Sequence, residues 1–304
     1  MARLVKMYDF KQYDLPDALF QIKVYQKDVD QMLFKAEEHF LTIEEQMGEI
    51  QKGDIVAVCI KSEDKLLTSD CERFSVGKGF FSEEIEQALI GKKKGDIFTT
   101  EVDGKKAEIT VLWSRRRIVP QLTDEMAAKL GIEDVSNKEE YITYVISELE
   151  NESKEKKQKA IWNLVSKRLA ENSEFEMEAA EVENQFAKDM AYLEEEFGED
   201  FEEFMKAKYH RKTLEDCKQA YKKEIEKTIK LCAIAAPMAI EDGVEWSRDD
   251  YEAVIADMVN DEYTEEELKE SMSYEDYVKQ QMEEYLRSKV LEYFDERFTM
   301  TLVK

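Results

Sequence analysis

The chain has 304 residues, 43% of them apolar, enough for roughly two domains with a core each. Its net charge is −26, of which residues 119–304 carry −23. So negative a surface repels phosphate backbones and anionic headgroups, which argues against nucleic acid or a membrane as the main partner.

At the N-terminal end, "DALFQIKVY" (17–25) alternates as a strand. "DVDQMLFKAEEHFLTIEEQM" (28–47) then takes helical spacing, with Val29, Met32, Leu33, Ala36 and Phe40 on one face. Residues 1–50 thus read as a strand-like arm and a linker helix. From 51 to 118 the pattern becomes short strands: "DIVAVCI" (54–60), "RFSV" (73–76), "DIFTTEV" (96–102) and "KKAEITVLW" (105–113), the last two joined by the hairpin dipeptide Asp103-Gly104. One short helix is expected at about 82–90, with Ser82 as N-cap, acidic residues in its first turn and Gly91 as its stop.

From Pro120 the chain reads as helical almost to its end, with helices near 123–130, 136–171, 178–197, 201–235, 247–260, 264–270 and 273–297. Ser136 with Glu139, Ser247 with Asp250 and Thr264 with Glu267 have capping-box spacing, and Ser273 with Asp276 matches it. Pro237 is the only proline that interrupts this half. Helices of some 35 residues with Glu- and Lys-rich polar faces point to an elongated architecture.

Chemistry-bearing motifs are scarce. Neither histidine, His39 nor His210, lies in a ligand or nucleophile pattern, and no GxSxG, HExxH or GxxxxGK[ST] occurs. Cys59, Cys71, Cys217 and Cys232 lack CxxC spacing, so neither a zinc site nor a disulfide frame is indicated, and they read as reduced, mostly buried thiols. No 18-residue apolar run occurs and "MARLVKMYDF" lacks the apolar core of a secretory signal, so a cytoplasmic location is expected. The stretch "VGKGFFSEE" (76–84) has the order of a phosphate-binding loop, glycines opening a helix. Glu83, Glu84 and Glu86, however, put carboxylates where the phosphate would sit. No catalytic residue, metal or cofactor is expected.

Phe74, Gly77, Gly79, Gly91, Lys93, Gly95 and Asp96 resemble the F-x-x-G-x-G … G-x-K-x-G-[DE] core of FKBP-type peptidyl-prolyl isomerases, and Gly53-Asp54 before "IVAVCI" resembles that family's opening strand. "KVYQKDVDQMLFKAEEHF" (23–40), "RIVPQLTDEMAAKLGIED" (117–134) and "AYLEEEFGEDFEEFMKA" (191–207) are similar to segments of trigger factor, so the resemblance covers nearly the whole chain. It implies an α+β fold: a small antiparallel FKBP-like sheet with one helix (51–118), joined to an elongated, all-helical arm-bearing chaperone domain (119–304).

Two departures refine the expectation. The basic G-F-R-x-G-K ribosome-docking loop of trigger factor has no counterpart, so ribosome docking by that route is not expected. The isomerase pocket has also lost its aromatic walls. Its floor falls on Ile85, its carbonyl-holding position on Ser82 and its first-strand aromatic on Ile60; Leu66, Leu67 and Thr68 replace the next, and the flap shrinks to Asp103-Gly104. Phe80, Phe81 and Ile85 remain as candidate client-binding residues.

Tyr, Phe and Met recur through the acidic helices, including Tyr192, Phe197, Phe204, Tyr209, Met258 and Tyr293. Apolar patches in a charged shell suit a carrier of unfolded or nascent polypeptides, and they suit a homodimer interface equally. The resemblance implies an ATP-independent chaperone of the holdase type, with weak or lost isomerase activity. An active prolyl isomerase and a scaffold for one specific protein stay open as alternatives.

Overall fold

A computed structural model describes residues 2–79, 81–260 and 263–304. The strands are β1 (Arg3–Lys6), β2 (Gln21–Tyr25), β3 (Thr42–Gln46), β4 (Ile55–Ser62), β5 (Ser69–Ser75), β6 (Ile97–Val102), β7 (Lys105–Ile118), β8 (Glu174–Glu176) and β9 (Thr299–Val303). The helices are α1 (Gln26–Glu38), α2 (Glu83–Leu89), α3 (Asp124–Lys129), α4 (Lys138–Asn172), α5 (Ala179–Phe197), α6 (Phe201–Tyr209), α7 (Leu214–Glu241), α8 (Arg248–Met258), α9 (Glu265–Ser271) and α10 (Tyr274–Phe294). The architecture is α+β. The chain divides into two compact units, residues 24–149 with 302–304 and residues 1–23 with 150–301.

The first unit is built on an antiparallel five-stranded sheet in the order β3-β7-β4-β5, with β6 also on β7. β7 is long enough to take β6 along Lys105–Thr110 and β3 along Ser114–Ile118 on one edge, while β4 lies along the other. Asp103 and Gly104 both have positive φ (50° and 74°), the backbone that a two-residue hairpin between β6 and β7 needs. α2 lays Ile85 and Leu89 on the sheet against Ile50, Val56, Val58, Ile60, Val76, Ile109 and Val111, all buried. Ser82 caps this helix, as its sequence predicts, accepting from the Ile85 N–H.

Two expectations fail here, for one reason. The helical spacing over 28–47 stops at Glu38, and Thr42–Gln46 is instead a strand. Its partner is the stretch beyond the expected end of β7, with Ile43 opposite Arg117, Glu44 opposite Arg116 and Glu45 opposite Arg115. Long-range pairing with β7, which satisfies the backbone of both stretches, decides what local periodicity cannot.

In the second unit, Ile161, Trp162, Val165 and Leu169 of α4, Leu231, Ile234 and Ala235 of α7, and Leu286, Val290 and Phe294 of α10 form the main core. The N-terminal residues Phe10, Leu15 and Phe20 are buried in the same core. β1 pairs antiparallel with β8, and the Arg297 guanidinium lies 3.9 Å over the Phe20 ring while donating to Asp17 at 3.1 Å. The segment expected as an arm is thus an integral part of the helical core, burying Phe10, Leu15 and Phe20 with side chains of α4, α7 and α10.

The helix termini largely follow the sequence. Ser247–Asp250 and Thr264–Glu267 are complete capping boxes. At 136 the motif slips by one residue: Asn137 accepts from the Glu140 N–H, and the Glu140 carboxylate, not Glu139, reaches back to Ser136 at 2.7 Å. The expected helix 201–235 is broken, because His210 adopts a left-handed φ of 51° and Thr213 starts a new helix by accepting from the Asp216 N–H. Pro237 lies inside α7 without ending it. Removing the new cap with Thr213→Ala should cost about 1 kcal/mol, read as a lower urea midpoint by circular dichroism with an unchanged slope.

Candidate functional site

The glycine loop leading into α2 closes on a carboxylate of its own chain. Glu86, one turn into the helix and only 2% exposed, points back under the loop. Its Oε2 accepts from the Gly77 N–H at 2.6 Å and the Gly79 N–H at 3.2 Å, and its Oε1 accepts from the Phe81 N–H at 3.0 Å. Burial opposes the charge, yet the amides of Phe81, Gly79, Gly77 and Lys78 together outweigh it and hold the carboxyl below the usual glutamate range. Gly77 has a φ of +76°, and a Cβ there would meet the Lys52 side chain at 2.6 Å, so the loop needs glycine for both reasons. These converging amides are an anion nest. The anion is intramolecular, which leaves no room for a phosphate.

The nest positions Phe81. Its ring stacks on Phe74 with centroids 4.7 Å apart and planes 12° from parallel; Phe74 is core and Phe81 half-buried. Of the expected client-binding residues, Phe81 therefore sits at the surface of the loop. Ile85 is fully buried beneath it and presents no surface to a ligand, since α2 must turn that side chain into the sheet to close the core. Phe80 lies outside the described residues. Ile60 is likewise fully buried. The Ser82 hydroxyl is engaged by the Glu84 carboxylate at 2.6 Å.

A second buried carboxylate ties the sheet's far end. Asp54, 1% exposed, receives Arg116 bidentately, Nε at 2.7 Å and Nη2 at 2.8 Å, and also accepts from the Gln51 N–H at 2.8 Å. Burial raises its pKa, and these donors reverse the effect, leaving it below the ordinary aspartate value. Arg115 of the same run lies 4.7 Å from the Trp113 ring centroid, with Arg73 of β5 at 5.8 Å. Lys94 pairs with Glu45 at 2.6 Å and Lys93 approaches Glu49 at 3.7 Å. The basic runs thus serve the sheet and its turns.

In the helical unit, α5, α6 and α7 enclose Met190, Phe201, Met205 and Cys217, with Phe197 stacked on Phe204 at 3.9 Å. The phenols of Tyr209 and Tyr221 donate to Glu224 (2.7 Å) and Asp189 (2.8 Å), and burial together with those carboxylates raises both pKa values. Most of these aromatics are therefore packed and satisfied. Apolar side chains that remain exposed include Tyr192, Ile240 (79%), Met258, Val259, Tyr263 and Tyr293. An open cleft lined by Gln158, Glu284, Arg287, Ser288, Leu291, Glu292 and Asp295 mixes charged groups with apolar surface. Among the described residues there is no grouping of three or more side chains able to hold a metal, and no helix is long and apolar enough to cross a membrane.

Sequence reading finds Ser82, Gly77 and Gly79 but misses the roles of Glu86 and Asp54. The available signal for Glu86 is a carboxylate on the inward face of α2, one position after Ile85, at the end of a double-glycine loop.

Residues 139–300 match the family described as "Bacterial trigger factor protein (TF) C-terminus". The protein "Trigger factor" of Chelativorans sp. (strain BNC1) is 26% identical over 274 residues, which are 81% of this chain and 52% of that protein; the chain spans about half that relative's length. A solved structure described as "Promiscuous Substrate Recognition in Folding and Assembly Activities of the Trigger Factor Chaperone" aligns with 98% of this chain and 73% of its own, at 18% identity and a TM-score of 0.47. Because the family match runs through more than half of its residues, the chain belongs to the bacterial trigger factor C-terminus family.

Proposed function

We propose that the chain is an ATP-independent molecular chaperone of the holdase type, which keeps unfolded or nascent polypeptides from aggregating by docking their apolar segments on its helical unit. Membership of the trigger factor C-terminus family, over the residues that build the helices, carries this reading. The exposed Ile240, Tyr192, Met258 and Tyr293 support it. They are apolar points on a strongly acidic surface, which keeps carrier and client in solution while contacts form and break.

The sheet-and-helix unit is proposed to retain an FKBP-like frame with weak or lost isomerase activity. Twisting a prolyl bond over its barrier of about 18–20 kcal/mol calls for an apolar, aromatic-walled hollow. Here Ile60 and Ile85 are consumed by the core, and Ser82 by capping. Among the described residues of this loop, the half-buried Phe81 is the proposed client contact.

Light scattering of several unrelated denatured proteins tests the main reading. An equimolar amount of the chain is expected to suppress their aggregation without nucleotide, whereas protection of one partner alone would favour a dedicated scaffold, and of none would remove the holdase. Protease-coupled turnover of a proline peptide should stay close to its uncatalysed rate. An enhancement typical of FKBP enzymes would restore the isomerase reading.

A further inference from the structure

All four cysteines are free, and their placement differs from the expected buried set: Cys217 alone is buried, Cys59 and Cys232 are partly exposed and Cys71 is exposed. Two of them lie together on the outer face of the sheet. β4 and β5 pair with Val58 opposite Glu72 and Ile60 opposite Ser69, so Cys59 faces the two-residue step Asp70–Cys71 inside a bulge. Strand alternation puts Cys59 on the face of Ala57, and Cys71 on the face of Arg73. Ala57 and Arg73 are themselves opposite one another. The two thiols therefore project from neighbouring strands on the same side. The registered pairs on either side, Val58–Glu72 and Ile60–Ser69, hold the two strands at the antiparallel Cα spacing of about 4.5–5.5 Å around the bulge, inside the range of about 4.4–6.8 Å that a disulfide spans.

We propose that Cys59 and Cys71 form a reversible intramolecular disulfide across β4 and β5, made by exchange with a low-molecular-weight disulfide. The exposed Cys71 thiolate attacks one sulfur of the reagent, forming a mixed disulfide and expelling one thiol. The Cys59 thiolate then attacks the Cys71 sulfur and expels the second. Two electrons pass to the reagent, and the two protons leave with the two released thiols, so the step balances. The other cysteines are poor competitors. Cys217 is shielded, and burial pushes the Cys232 thiol up to about 11, leaving little thiolate near neutrality. Once made, the bond staples an inner strand to an edge strand around the turn that exposes Leu66.

The full chain, incubated with oxidised glutathione at pH 8, alkylated under denaturing conditions and mapped by mass spectrometry, tests this. The expected product is a monomer about 2 Da lighter, with its 59- and 71-containing peptides cross-linked and returned to thiols by a dithiol. Cys59→Ser should stop at a glutathionylated Cys71, which separates ring closure from simple reactivity. In the oxidised wild type, hydrogen exchange across residues 58–72 should slow. A persistent glutathione adduct on Cys71 with Cys59 still alkylatable, a Cys71–Cys71 cross-linked dimer as main product, or no loss of free thiol would each overturn the proposal.

Discussion

Glu86→Ala is expected to destabilise the sheet unit by about 2 to 4 kcal/mol, one of the two largest effects predicted for this chain. Three N–H groups, those of Gly77, Gly79 and Phe81, end on this one carboxylate, and alanine leaves all of them without an acceptor. The loop is only partly buried, so water recovers some of the loss; full burial would cost more. Hydrogen exchange should accelerate first over 76–82 and then through β4 and β5, because the loop links β5 to α2. Glu86→Gln keeps the size and one acceptor oxygen and should fall between the two. Wild-type exchange rates over 76–82 in the alanine variant would remove the nest from the account of this loop.

The same group gives a signed pH dependence. The folded-state pKa of Glu86 is lowered, so its contribution is complete above the ordinary glutamate value and disappears as pH falls through the depressed folded value. Asp54, also lowered, acts in the same direction. Stability of the sheet unit should therefore hold down to roughly pH 4 and drop below it. In Glu86→Gln the drop should be shallower, measured by urea midpoints between pH 3 and 7.

Arg116→Ala should cost about 2 to 3 kcal/mol, by stranding the Asp54 carboxylate, which has almost no access to water. The value sits below that of a fully buried pair because the Arg116 side chain is 29% exposed and partly screened. The Asp54→Leu/Arg116→Leu double variant should be less destabilised than the sum of its singles, since removing both charges leaves none uncompensated. The Gln51 N–H still loses its acceptor there, so some cost remains. Additive losses in the double-mutant cycle would show that the two residues act independently.

Family and fold class were legible in local sequence because they are written in local chemistry. Positive-φ glycines, the Asp103-Gly104 hairpin and the capping boxes at Ser247 and Thr264 impose their geometry within a few residues of themselves. The same holds for α4, whose 35 residues fill the helix expected over 136–171. Of the candidate site, the loop was legible, and the split between a half-buried Phe81 stacked on Phe74 and a fully buried Ile85 was not. Helical spacing says which residues share a face, but only the sheet says which face it covers.

The sequence by itself determined the two-part α+β composition and the acidic helical half, since each depends on residue type or short-range spacing. The tertiary structure alone decided that Phe10 and Phe20 belong to the helical core, that Thr42–Gln46 is a strand, and that a glycine loop built like an anion site encloses its own Glu86. Those outcomes hinge on partners distant in sequence or on a carboxylate's direction. Both are settled by long-range pairing and burial, where the cost of an unpaired amide or charge outweighs any local preference.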